Sequence, residues 1–122
     1  MSRVIHFEIP ADKPDRAAEF YSTVFGWQIQ KWPGAQDYWL ASTGPEGEPG
    51  INGGLLRRPH PGAATCNTIG VKSIAESLAK ITKSGGKLVV PKMGIPGIGH
   101  LAYCSDTEGN IFGVMQADKS AS

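Results

Sequence analysis

His6 and Glu8 stand two positions apart in the alternating run Val4-Ile5-His6-Phe7-Glu8-Ile9, and an extended backbone puts both on one face. An imidazole beside a carboxylate is the least equipment a chain needs to move a proton. On a partly apolar face the carboxylate needs a partner or holds its own proton more tightly, which is one way a general base arises. The same two residues also read as a strand histidine bonded to a neighbour and a glutamate solvated or paired near a strand end. His100 follows the run Gly97-Ile98-Gly99 at the end of a Gly/Pro-rich stretch. It reads either as a loop residue that gates a binding site or as an incidental one. Cys66 and Cys104 form no CxxC and read as two reduced thiols on strands.

These residues are positioned by a unit of structure that occurs twice. The first strand leads through Pro10 and Ala11 to a helix over about Lys13 to Phe25, with Asp12 as N-cap, Pro14 in the first turn and Gly26 as the stop. Ala17, Phe20, Tyr21 and Val24 give that helix an apolar stripe. Strands are expected over Trp27 to Trp32, Asp37 to Ser42 and Ile51 to Arg57, with the loop TGPEGEPG between the last two. A second copy begins near Thr65. It has a strand through Ile69 and Val71, then a helix opened by the capping box Ser73 and Glu76, with Ile74, Leu78 and Ile81 on one face and Gly85-Gly86 at its end. Lys87 to Pro91 reads as a strand edge, Lys92 to Gly99 as a loop, and His100 to Ser105 and Ile111 to Gln116 as strands around the turn at 106–110. Trp39 and Tyr38 must point to opposite faces, so one of them is available as a flat wall for a ligand.

Length and charge bound the rest. A chain of 122 residues is expected to form one domain, so copies at about 3–57 and 65–117 share a core, joined by a linker at 58–64 and followed by a frayed tail at 118–122. With 12 basic and 11 acidic residues, neither nucleic acid nor an anionic membrane is suggested as a partner. The start carries no signal core and no apolar run is long enough to span a bilayer, so a cytoplasmic protein is the expectation.

The order of two βαβββ copies, the helix motif RAAEFYSTVFGW and the closing turn DTEGNIFGVMQ together resemble the vicinal oxygen chelate superfamily of glyoxalases, bleomycin-resistance proteins and extradiol dioxygenases. The resemblance covers nearly the whole chain. It implies an α+β fold in which the two modules form a curved, cupped mixed sheet with helices on the convex side and a small molecule in the concavity. It also implies a metal site of four ligands, two per copy. His6 matches the first; Cys66, or its neighbour Asn67, stands at the second; Gly53 or Gly54 and Gly113 stand where carboxylates are expected. Tyr103, ten residues before Gly113, falls where some dioxygenases of the family place an active-site tyrosine, and equally reads as packed in the sheet. Met115 shares the face of Gly113, beside the space the glycine leaves.

One imidazole does not hold a divalent ion, and glycine supplies no side-chain donor. The reading that follows is a small-molecule binder with an incomplete metal site. Glu8 and Tyr103 are its candidate catalytic groups, and His6, Trp39, His100, Gly113 and Met115 its candidate ligand contacts. No cofactor is required; zinc, nickel, manganese or iron would be held through His6, with Cys66 as second ligand. The alternatives are a metal-dependent lyase, isomerase or dioxygenase with an unusual ligand set, and a partner-binding module without catalysis. A homodimer is expected, since pairing two chains covers strand edges.

Overall fold

The computed structural model describes residues 2–34 and 36–122. Its elements run β1 (Arg3–Ala11), α1 (Pro14–Phe25), β2 (Gln28–Lys31), β3 (Tyr38–Ser42), β4 (Gly53–Arg57), β5 (Cys66–Gly70), α2 (Ile74–Lys83), β6 (Lys87–Ile95), β7 (Gly99–Ser105) and β8 (Ile111–Ala117). This is the expected α+β order, βαβββ followed by βαβββ. The chain groups into two compact units, His6–Thr65, and Cys66–Ser122 with the first residues through Ile5.

In the His6–Thr65 unit, β4 runs parallel to β1 and antiparallel to β3, and β2 lies outside β3. The helix is fastened to this sheet by aromatic stacking. The rings of Tyr21 and Trp27 lie 4.8 Å apart, and Trp27 meets Phe7 of β1 at 5.6 Å. Gly26 ends α1 in the left-handed region at φ 73°, a conformation that suits a residue without Cβ. Two expectations fail here. Asp12 does not cap the helix, because the Arg58 guanidinium draws its carboxylate away at 3.1 Å, and Lys13 takes the cap position with no side-chain bond. The apolar stripe is only partly covered: Pro14 is buried and Ala17 and Tyr21 half-buried, but Phe20 and Val24 are 55% and 54% exposed, and Phe25 is 61% exposed.

In the Cys66–Ser122 unit, β8 lies between β5, parallel, and β7, antiparallel, with β6 outside β7. Ile74, Ala102, Cys104 and Val114 form its buried core, and Val71, Leu78, Ile81 and Phe112 pack against it. Each large aliphatic side chain buried this way contributes about 1.5–3 kcal/mol. Ser73 caps the helix as expected, its hydroxyl accepting from the backbone N–H of Glu76 at 3.2 Å, which is the serine half of the capping box. The next orphan donor, the N–H of Ile74, is satisfied by the Gln116 side chain at 2.9 Å.

Two further expectations are corrected in this unit. The stretch Lys92 to Gly99, read as a loop, is strand as far as Ile95. Pro91 is tolerated because β6 is the outer strand of its unit and the register shifts between Val90 and Met93. The tail at 118–122 is folded, not frayed. Asp118 N–H donates to the Ile98 carbonyl and Gly97 N–H to that of Ala121, both at 2.9 Å, and Ala121 is buried. No helix among the described residues is long and apolar enough to cross a membrane.

Candidate functional site

Strand alternation sorts β1 into two faces. Phe7 points to the α1 side, where its ring meets Trp27, so His6 and Glu8 point to the other. Gly54 of β4 stands opposite Glu8, and Leu40 of β3 stands opposite Gly54. Tyr38 lies two residues from Leu40 on the same face, and its hydroxyl reaches the Nε2 of His6 at 2.7 Å. The two rings are nearly parallel, at 16°. Gly54 makes the approach possible. A Cβ at position 54 would fall on the Tyr38 hydroxyl and the adjoining ring carbons, so only glycine leaves room for the phenol.

Burial disfavours the charged imidazole and pushes the His6 pKa down, and the Glu8 carboxylate opposes that shift. Glu8 itself is buried. The basic side chains of the neighbouring strands lie on the opposite face. Lys31 and Arg57 stand over the Trp39 ring, 5.4 and 5.7 Å from its centroid, and Asp37 bridges them at 3.4 and 3.0 Å. Trp39 is therefore a buried residue of the α1 side, opposite Leu55, and does not line the face of His6. Tyr38 takes the place expected of it, a residue that alternation alone left undecided.

The Cys66–Ser122 unit has a corresponding face, turned away from α2. Ala102, Cys104 and Val114 point to the helix, which leaves Leu101, Tyr103, Gly113 and Met115 on the other side. Tyr103 and Thr68 flank Gly113 in register, and Leu101 stands opposite Met115. The space beside Gly113 is taken by Thr68, whose Oγ1 would lie 2.9 Å from an added Cβ. His100 does not join this surface. It lies on the side of Ala102, where its Nε2 is paired with the Asp118 carboxylate at 3.0 Å. Bonds from Ser120 and from His100 hold that carboxyl down at about 2. Separately, an open hollow of ≈ 560 Å³ is bounded by the loop Thr43 to Gly50 with Ser42 and Asn52, and holds none of the residues singled out.

Comparison with known proteins bears on the fold and the sequence family. Residues 3–44 match the model of the bleomycin resistance protein-like N-terminal family. The mycobacterial protein CFP32 of Mycobacterium bovis, whose name assigns it provisionally to the glyoxylases, is 30% identical over 113 residues, which is 89% of this chain. The chain spans only 42% of the length of that relative. A glyoxylase-like domain-containing protein of Didymella fabae is 29% identical and is covered over 88% of its length, as is this chain. Methylmalonyl-CoA epimerase in complex with methylmalonyl-CoA superposes on 100% of the chain and 99% of its own with a TM-score of 0.73 at 14% identity, a likeness of fold alone. The chain is thus similar in sequence to bleomycin-resistance and glyoxylase-like proteins, and it shares its fold with the epimerase.

Vicinal oxygen chelate proteins often use a divalent ion, and the residues present here do not fit one. His6 has its Nε2 committed to Tyr38, and Gly54 and Gly113 offer no side-chain donor, their neighbouring space being occupied by Tyr38 and Thr68. Among the described residues no three of His, Cys, Asp and Glu converge on a point where an ion could sit.

Of the residues singled out in the sequence, His6 and Glu8 share one face and are joined there by Tyr38, one of the two ring residues that alternation left open. Tyr103, Gly113 and Met115 share a face in the other unit, with Cys66 on the same side of β5 as Thr68. Trp39 and His100 belong elsewhere. The pairing of β3 with β4 decides for Tyr38, since it sets Trp39 opposite Leu55 on the α1 side.

Proposed function

We propose that this chain is a protein of the vicinal oxygen chelate type that binds a small organic molecule on the face of His6, Glu8 and Tyr38, and that it does so without a resident divalent ion. The observation that carries the reading is the 2.7 Å contact of His6 with Tyr38 over Gly54, which puts a phenol where the resemblance expects a metal-bound carboxylate. A neutral imidazole, a phenol and a buried carboxylate beside the apolar Leu40 and Leu56 suit a molecule with a few polar groups on an apolar body. The group is also equipped for proton transfer, with His6 as the base and Glu8 able to stabilise the imidazolium. The relatives named as glyoxylases and the epimerase bound to a CoA ester support a small-molecule role. Ligand-observed NMR against a library of small carbonyl and aromatic compounds tests it. Hits should weaken at least tenfold in His6→Ala and Tyr38→Phe; hits indifferent to both variants contradict it.

We also propose that two copies of the chain associate through α1. Phe20 and Val24, one helical turn apart, and Phe25 beyond them leave three large apolar side chains exposed on that helix. Sedimentation equilibrium should find twice the chain mass, and Phe20→Glu should return it to the mass of one chain.

A further inference from the structure

The protonation of the His6–Tyr38 pair can be taken further than its geometry. Burial favours the neutral imidazole, so one ring nitrogen of His6 is bare and the other carries the proton. Nε2 faces the phenolic oxygen at 2.7 Å, the short end of the range for a nitrogen–oxygen bond. A phenol is a good donor and a poor acceptor, because its ring draws on the oxygen lone pair. The bare nitrogen of imidazole is a strong neutral acceptor. The favourable arrangement therefore has the phenol donating and Nε2 accepting. The Gly54 backbone against the Tyr38 ring is itself paired on both sides, to Glu8 of β1 and to Leu40 of β3.

We infer that Tyr38 is a positioning residue that fixes the tautomer of His6: its O–H donates to Nε2, and the imidazole proton resides on Nδ1. This is the task a metal performs on a ligating histidine, fixing one nitrogen and so deciding the other. The inference rests on the reading that this face receives the ligand, and it gives the site a direction. A proton delivered to Nε2 arrives through the phenolic oxygen: the ligand's proton goes to that oxygen while the phenol's own proton goes to Nε2. The products are an imidazolium beside Glu8 and a ligand carrying one negative charge. Gly54 is part of the device, since any side chain there displaces the phenol.

The test is long-range ¹H–¹⁵N correlation NMR of the imidazoles in the unliganded protein above the His6 titration range. The wild type should show His6 with Nδ1 protonated and Nε2 bare, opposite to the form an unconstrained imidazole prefers. Tyr38→Phe, which removes a single oxygen, should shift the population to Nε2–H and raise the pH midpoint of His6, because the bond that stabilised the neutral ring is gone. Gly54→Ala should do the same with the phenol still present. An Nε2–H tautomer in the wild type overturns the inference, and so does an Nδ1–H tautomer that survives in Tyr38→Phe. No ligand is needed, so the tautomer can fail while ligand binding stands, and the reverse.

Discussion

The Tyr38 hydroxyl lies 2.7 Å from Nε2 of His6, in the space that a side chain at Gly54 would fill. This relationship ties the chemistry of the site to two strand neighbours that differ in kind, and it makes the two glycines that stand in for carboxylates unequal.

Replacing Gly54 by alanine should cost about 2–3 kcal/mol, since the new methyl meets a stiff aromatic ring across a strand paired on both sides. Gly113→Ala should cost only about 1 kcal/mol, because its nearest obstacle, the Thr68 Oγ1 at 2.9 Å, overlaps the new methyl far less than the Tyr38 ring overlaps one at Gly54. Urea unfolding midpoints of the two variants measure the difference.

Stability should fall as the solution is acidified through the His6 range. The folded protein holds the His6 pKa below its ordinary 6.5, so the unfolded chain binds the proton first and the fold loses free energy as pH drops below about 6.5. His6→Gln removes this part of the dependence. Melting temperatures between about pH 5 and 8 should decline less on the acid side in the variant than in the wild type. An equal decline would assign the loss to other groups.

The two thiols should differ in rate. Cys104 is wholly buried in the α2 core and burial pushes its thiol pKa up, while Cys66 is partly accessible. Under native conditions a disulfide reagent should modify one thiol promptly and the second no faster than the protein unfolds.

The folded tail should open when its carboxylate is removed. Asp118 receives the Ser120 hydroxyl and backbone N–H and pairs with His100, so Asp118→Asn weakens several bonds at once. Hydrogen exchange at Gly97, whose N–H is bonded to Ala121, should quicken in that variant, while exchange in α2 stays unchanged.

Much of this fold was legible because its signals are local. Gly26 stops one helix and Ser73 with Glu76 starts the other, each through bonds made within a few residues. The misread parts depend on partners distant in sequence. Asp12 fails to cap because Arg58 claims it, Pro91 stays in a strand because register shifts beside it, and residues 118–122 are ordered by the β6–β7 hairpin. The site divides the same way. Alternation put His6 and Glu8 on one face, but whether Tyr38 or Trp39 joined them turned on the pairing of β3 with β4. His100 was misplaced for the same reason: neighbouring glycines suggested a mobile loop, and the tail that holds it lies 18 residues on.

The central claim is that His6 belongs to Tyr38 and not to an ion. Elemental analysis of untagged protein, equilibrated with manganese, nickel, zinc or ferrous iron and then freed of excess, tests it most directly. The account predicts far less than one ion per chain for every metal, with no change in His6→Ala. One ion per chain that is lost in His6→Ala would contradict it.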